Sequence, residues 1–470
     1  MTPFPFDYDH ALTLPELTAR LGGKGASLVA MTRLGLPVPP GFTIAIGAEP
    51  GPALDAAIAT GMAALAVKLS RPGDDAVDPW LVSVRSGAAA SMPGMLDTLL
   101  NVGLTPAVAA TLARRHGAAF ADDLRARTRA AAFVLPANSL DEPVAQVRAA
   151  ATAVLQSWSS PRAVAYRARA GLSETSGTAV TVQVMVFGNL DAESATGVAF
   201  SRDPATGAAG AVGDVLFGAQ GEDVVAGTHR PLPLAALTAR CPGPAAELYA
   251  ALRQLEHYYR DLVDVEFTIE RGQLWILQAR PGKRGPAAAA RIAVELVDDA
   301  VVALSRAEAV ARVPSSVLDG STRLTRRDGN AVAFAIGLGV SPGLATGRVV
   351  MDPDVAVDAA DAGPVILVRR ETSPADVHGI GVAAGVLTAT GGALSHAALV
   401  AREWGIAAVV GADIAIDADG FAAGGRRIAA GATISIDGTT GEVFAGAVTG
   451  TALPDTFAAT LRDWAQETAR

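Results

Sequence analysis

The sequence holds a single cysteine, Cys241, in 470 residues. That excludes an intramolecular disulfide framework, a cysteine-based zinc cluster and dithiol redox chemistry. Lysine is nearly as scarce: Lys24, Lys68 and Lys283 are the only three, and the other 35 of the 38 basic residues are arginine. Composition bias accounts for most of such a skew. A lysine kept inside a glycine-rich loop nevertheless marks a place where a compact, rotatable ammonium suits better than a planar fork. Positive charge is outnumbered, 38 basic against 47 acidic residues for a net charge of -9, the wrong sign for a chain that neutralises nucleic-acid backbones in bulk. No run of roughly 18 uninterrupted apolar residues is present to span a bilayer. Met1 to His10 is acidic and proline-bearing, unlike a signal or transit peptide. A soluble cytoplasmic protein with no nucleic-acid partner and no membrane association is therefore expected.

What is present is a globular composition, 50% hydrophobic and 18% charged, with length for about two to four domains. Strand-like runs such as Phe42 to Ile46 and Leu81 to Val84 alternate with glycine-rich turns up to residue 104. Alanine, leucine and arginine at helical spacing then predict a helical insert over about 105–175. Strand signals return over Ala179 to Phe187, Thr196 to Phe200, Asp264 to Ile269 and Leu274 to Gln278. Residues 286–330 read as helices leading into a linker, 331–448 as a compact strand-rich domain and 449–470 as a terminal helix. The fold class is α/β, an α+β multidomain arrangement.

Four constellations carry chemistry. Gly22-Gly23-Lys24-Gly25 precedes a helical run from Ala26; glycines admit a phosphate to the backbone, the lysine adds a point charge, and a helix start favours anions. The Walker spacing is absent, and a plain structural turn explains the same residues. Arg85 ends an apolar strand before a run of small residues, a position that presents a guanidinium either to phosphate in bidentate fashion or to a surface carboxylate. Asp264 to Glu270 and Gln273 to Arg280 flank an Arg-Gly turn, a hairpin whose strand alternation puts Asp264 with Glu266 and Gln278 with Arg280. Oxygen donors completed by substrate phosphates are how Mg²⁺ is usually held; a solvated polar face is the alternative. Finally, Ser395 can cap a helix whose first turn contains His396, where backbone N–H groups stabilise negative charge placed on the ring. The other five histidines lack such a setting, and ordinary packing is the competing explanation for His396 itself.

The order G-G-K-G-A-S-L, S-V-R-S-G-A-A-A-S-M-P-G-M-L-D-T-L-L-N, V-Q-V-M-V-F-G-N, S-R-D-P-A-T-G, A-Q-G-E-D-V-V-A-G, D-V-E-F-T-I-E, L-Q-A-R and G-G-A-L-S-H-A-A-L-V-A-R closely resembles the pyruvate phosphate dikinase family along nearly the whole chain. The resemblance implies an ATP-grasp nucleotide-binding domain over 1–285 and a swivelling phosphohistidine domain over 331–448. It implies ATP contacts from Lys24, Arg85, Gly94, Gln183, Glu222, Asp264 and Arg280, with Mg²⁺ on Glu266 and Gln278. His396 would carry the phosphoryl group, with Arg85 and Arg280 assisting.

Three departures from the family pattern stand out. The C-terminal barrel that binds pyruvate or phosphoenolpyruvate is expected to be lacking, the helical insert is short, and Leu394 and Thr390 stand where the family usually has threonine and arginine. The leading expectation is ATP- and Mg²⁺-dependent phosphorylation of His396 with release of AMP and pyrophosphate. The phosphoryl group would then pass to pyruvate or another acceptor on a separate chain, in practice a separate pyruvate/phosphoenolpyruvate-binding protein. Transfer to a different small molecule, or a non-catalytic nucleotide-binding regulator of a full-length dikinase, are the alternatives.

Overall fold

A computed structural model of the chain describes residues 1–70, 79–90, 92, 95–130, 141–173, 177–225, 231–318, 323–326, 331–393, 395–453 and 455–468. Two compact units are present, Met1–Ala195 with Glu266–Arg280, and Thr196–Val265 with Pro281–Arg470. Both mix helix and sheet, in keeping with the α/β expectation.

The first unit begins with β1 (Phe4–Pro5), α1 (Leu14–Arg33), β2 (Gly41–Ile44), α2 (Pro52–Leu69), β3 (Val82–Gly87) and β4 (Thr98–Val102). Four helices follow, α3 (Pro106–His116), α4 (Ala118–Ala130), α5 (Pro143–Ser157) and α6 (Pro161–Ala170), and then β5 (Ala179–Val184). The strands form an antiparallel sheet in the order β1-β2-β5-β3-β4. Alternation decides its two faces. Phe42, Ile44, Val82, Val84, Val180 and Val182 enter the core against α2 and α5. Thr43, Ser83, Arg85, Thr181 and Gln183 fall on the opposite face, the one that α1 approaches.

Helix α2 alone among the described helices is long and apolar enough, by length and composition, to cross a membrane. Its Leu54, Ala57, Ile58, Met62 and Leu65 are buried in the core of this sheet, and about a third of the helix is buried in all.

The glycine-rich segment departs from the sequence reading of a turn preceding a helix. It lies inside α1 as a kink, where Gly22 takes φ 70° and ψ 169°. Gly23 N–H donates to Ala88 O at 2.9 Å, seating the kink against the end of β3. The hairpin Glu266–Arg280 docks on the same layer: Ser27 Oγ donates to Ala279 O at 2.6 Å, and Ile276 N–H to Pro37 O at 2.7 Å. Its turn residues Arg271 and Gly272 both have positive φ, 50° and 74°, the backbone twist that closes a two-residue hairpin.

The second unit contains β6 (Ala195–Arg202), β7 (Ala209–Phe217), α7 (Gly221–Val225), β8 (Leu232–Pro233), α8 (Ala235–Arg240) and α9 (Pro242–Tyr259). The strand β9 (Val263–Glu270) begins here, and its remainder, with most of β10 (Gln273–Pro281), forms the hairpin already described. Helices α10 (Pro286–Asp298), α11 (Arg306–Ala311) and α12 (Ser315–Leu318) lead to β11 (Arg323–Arg326). The helices expected over 286–330 are separate ones, because Ser305 caps a new helix through Glu308 in a capping box.

The strand-rich part comprises β12 (Ala335–Ile336), β13 (Leu338–Ser341), β14 (Leu344–Val350), α13 (Pro353–Ala360), β15 (Val365–Arg369), α14 (Val377–Ile380), β16 (Gly385–Thr388), α15 (His396–Trp404) and β17 (Ala407–Val410). It continues through β18 (Ala415–Asp417), β19 (Gly420–Ala423), β20 (Arg426–Ala429), β21 (Thr433–Asp437) and β22 (Glu442–Ala445). Eight strands pair in the order β12-β22-β21-β14-β15-β16-β17-β13, the central β14 to β17 being parallel. Both faces of those strands are buried, as parallel strands require. Val365 and Leu367 pack toward α13, α14 and α15, while Ile366 and Val368 join a second core that includes Phe421 of β19. Finally β23 (Gly450–Leu453) pairs with β11, and α16 (Thr456–Thr468) packs its Ala458 and Leu461 against Ala290, Ala293 and Ala309.

One prediction concerns the kink. A Cβ on Gly22 would lie 1.8 Å from Gly87 O and would also occupy a left-handed backbone. Gly22→Ala should cost roughly 2 kcal/mol or more of stability by denaturant unfolding; an unchanged midpoint would show that the kink is not fixed by this contact.

Candidate functional site

Arg85 stands on β3 with β5 on one side and β4 on the other, and its side chain is only 12% exposed. A buried guanidinium must find acceptors, and the polar side of the sheet and the hairpin supply them. Nη2 donates to Glu266 Oε2 at 3.1 Å and to Gln278 Oε1 at 3.0 Å. Nη1 reaches Gln183 Oε1 at 3.4 Å and Leu277 O at 3.3 Å. The surface-pair alternative for Arg85 therefore does not hold: its carboxylate partner belongs to the hairpin and its guanidinium is enclosed.

Lys24, in the first turn after the α1 kink, faces the same group. Burial pushes its ammonium down to about 7; Arg85 and Arg280 push the same way and Glu266 opposes them. Burial works to raise the Glu266 carboxyl, but Arg85, Arg280 and Lys24 outweigh it and hold it below the ordinary carboxylate range. The first unit thus gathers Lys24, Arg85, Gln183, Glu266, Gln278 and Arg280 from α1, two adjacent strands and the hairpin. Three cations share one carboxylate here, an arrangement that favours an incoming polyanion.

Among the described residues no cluster of three His, Cys, Asp or Glu side chains could hold a metal alone. Glu266 and Gln278 nevertheless turn two oxygens toward one cationic nitrogen. That donor pair fits a hard divalent cation whose remaining ligands come from phosphate and water.

In the second unit, His396 opens α15 and Ser395 Oγ accepts from Ala398 N–H at 3.5 Å. Its Nδ1 is shut off from solvent with no partner among the described residues, leaving Nε2 as the nitrogen open to a reacting group. Burial lowers its pKa below the usual 6.5, and Asp376 acts in the opposite direction. Asp376 is itself fixed by Ser373, whose N–H and Oγ donate to it at 2.6 and 3.0 Å, and by Arg369 at 3.2 Å. A neutral imidazole at a helix start is a competent nucleophile whose product charge meets free backbone N–H groups.

Two residues holding this helix escaped the sequence reading. Asp214 on β7 accepts from Ala393 N–H at 3.1 Å, just before the helix. Arg402, 1% exposed, has no hydrogen-bond partner for its guanidinium among the described residues. Burial pulls it down to about 10, opposed by Asp203, Asp264 and Asp214, and the Phe200 ring lies 5.8 Å away. Arg402 was visible in A-A-L-V-A-R, but no spacing rule ties it to acids some 140 to 200 residues earlier. Asp264, sequence neighbour of the Glu266 pair, is buried and its charge is felt by Arg402. Glu222 lies half-buried in α7. Gly94 and Leu394 lie outside the described residues, as does His229. Of the remaining histidines, His378 pairs with Asp354 at 2.9 Å and His116 with Arg271 at 3.0 Å.

Comparison with known proteins bears on the same residues. Residues 52–233 and 243–300 match the family described as pyruvate phosphate dikinase, AMP/ATP-binding domain, and 362–441 match the PEP-utilising enzyme, mobile domain. The first spans include Arg85, Glu266, Gln278 and Arg280, and the second includes His396. The chain is 39% identical to the chloroplastic pyruvate, phosphate dikinase of Flaveria trinervia, over 92% of this chain and 52% of the relative. It is 39% identical to that of Rhizobium meliloti, over 91% of this chain and 56% of the relative, and 38% identical to that of Clostridium symbiosum, over the same shares. The chain thus spans about half the length of the curated relatives it matches. With half of its residues inside the AMP/ATP-binding match and the mobile-domain match following in the same order, the chain belongs to the pyruvate phosphate dikinase family.

Proposed function

We propose that this chain carries out the ATP-dependent phosphorylation of its own His396 and serves as a phosphoryl donor to pyruvate. The observation that carries the reading is the cluster of Lys24, Arg85 and Arg280 around Glu266 and Gln278, together with an uncharged histidine at the start of α15. The three cations bind and align the ATP phosphates, with Gln183, Glu222, Asp264 and Gly94 as further nucleotide contacts. Glu266 and Gln278 hold Mg²⁺, which when bound neutralises phosphate charge as the transfer proceeds.

His396 Nε2 attacks the β-phosphorus, the bond to the α-β bridging oxygen breaks, and AMP leaves. Inorganic phosphate then takes the terminal phosphoryl as pyrophosphate, and one phosphoryl stays on the ring. Pyruvate, held by a separate protein chain, receives that group and becomes phosphoenolpyruvate. The mobile-domain match supports the idea that the histidine is carried between donor and acceptor by a swivelling domain. A cytoplasmic setting, where ATP and Mg²⁺ are at hand, belongs to the same proposal.

ATP labelled on its β-phosphate should leave acid-labile label on the wild-type chain and none on His396→Ala; equal label on the variant sinks the assignment. The pH profile of labelling follows from the depressed histidine pKa. The ring is neutral and reactive above its ordinary 6.5, so labelling should be flat there and fall only at lower pH as the ring protonates. An inflection above 6.5 would contradict the burial of the ring. Lys24→Met should weaken ATP binding about tenfold or more by calorimetry, and unchanged affinity would remove Lys24 from the phosphate site.

A further inference from the structure

The hydrogen bonds of Arg85 contain a conflict that the family assignment does not address. Its two shorter bonds, both from Nη2, go to Glu266 Oε2 and Gln278 Oε1 at 3.1 and 3.0 Å. These are the two oxygens assigned above to the metal. Its other nitrogen is held more loosely, at 3.4 Å from Gln183 Oε1 and 3.3 Å from Leu277 O. One guanidinium nitrogen therefore sits where the two donor oxygens converge. A divalent cation and a guanidinium cannot share that point, since both are positive and both need the same lone pairs.

We infer that Arg85 is the gate of the metal pair: without nucleotide it occupies Glu266 and Gln278 as a built-in counter-ion, and the divalent cation enters only when ATP phosphates draw Arg85 away. The inference rests on the metal reading of Glu266 and Gln278 given above and adds an order of events to it. Three observations support it beyond the bond lengths. Glu266 is 34% exposed, so its carboxylate is in part reachable from solvent, while Arg85 holds its Oε2 and the Oε1 of Gln278. Arg280 and, when protonated, Lys24 also act on the same carboxylate, so a bare divalent cation meets at least two positive charges against one negative. Phosphate oxygens offer a guanidinium bidentate acceptors at least as good as a carboxylate paired with an amide. The polyanion thus reverses the sign of the local field and releases the oxygens in the same step. Holding the pair on Arg85 in the interval also keeps Glu266 compensated, which a half-buried carboxylate requires.

The test reads Mn²⁺ binding to the full, nucleotide-free chain by the loss of the free-ion signal in electron paramagnetic resonance, so it does not depend on turnover. Wild type should bind Mn²⁺ weakly. Arg85→Met should bind it at least about tenfold more tightly, with Arg85→Lys showing a smaller gain, because an ammonium keeps the charge but not the fork. Adding Glu266→Gln to Arg85→Met should erase the gain. If Arg85→Met does not fold, by circular dichroism and melting, the Arg85→Lys comparison decides alone. Affinities no tighter than wild type in the variants that fold, while Glu266→Gln still weakens Mn²⁺ binding, overturn the gate and leave the metal pair standing. A gain that survives Glu266→Gln places the ion elsewhere and overturns both the gate and the metal reading.

Discussion

The nearly enclosed guanidinium of Arg85 is met by four acceptors, and in the first unit this arrangement organises the rest. Arg85 is fixed in direction by strand alternation, since Val82 and Val84 are committed to the apolar core and the odd positions must face the other way. Its acceptors then have to come from Gln183 on the next strand and from the hairpin, which delivers Glu266, Gln278 and the Leu277 carbonyl. The hairpin can approach only because α1 is kinked and small along this face. Gly25 leaves no room for a side chain against Thr43, and Ser27 bonds the hairpin backbone. Removing Glu266 takes the only carboxylate paired with this enclosed cation among the described residues, a costlier change than the loss of a surface pair.

The histidine end follows a different logic. There the surroundings withhold partners: Nδ1 of His396 is buried and unbonded among the described residues, and burial keeps the ring uncharged. The loop that precedes its helix is instead bonded to Asp214, and Arg402 lies within the electrostatic reach of Asp203, Asp264 and Asp214. Lys283, one of the three lysines, bonds Glu403 of the same helix at 2.6 Å, and Lys68 pairs with Asp7 at the surface. The lysine skew thus separates into one phosphate candidate and two ordinary ion pairs. A reactive group left free on a firmly held helix is what group transfer requires, because geometry is set beforehand and the nucleophile itself is not consumed by internal bonds.

Much of this was legible in the sequence wherever a local rule sufficed. Strands β5, β6, β9 and β10 appear over the runs at Ala179, Thr196, Asp264 and Leu274, and the Arg271-Gly272 turn forms the expected hairpin. Ser395 caps the helix that starts at His396. Failures came where tertiary contacts override local signals. The glycines flanking Lys24 look like a loop because glycine disfavours helix, yet the approach of Gly87 to Gly22 and of Thr43 to Gly25 is what demands them inside α1. Strand β4 begins at Thr98, within the S-M-P-G-M-L-D-T-L-L-N motif, and only pairing with β3 makes it a strand. The gathering of Asp203, Asp214 and Asp264 around Arg402 spans distant segments and has no spacing signature. Neither propensity nor periodicity assigns roles to these residues; the roles proposed for them come from the resemblance.

The proposed reaction sets a single requirement for these two sets of residues, that the β-phosphorus of ATP rather than the terminal one meets an imidazole. That reaction calls for a cationic cluster for the triphosphate and a neutral ring nitrogen, and the lowered pKa values of Lys24 and His396 have a physical cause in the burial around them. The identity of the nucleotide product reports on that requirement more directly than any variant does. Phosphorus NMR of ATP incubated with the protein, Mg²⁺ and inorganic phosphate should show AMP and pyrophosphate in an amount matching the protein. Formation of ADP instead, or ATP left intact, would contradict transfer from the β-position.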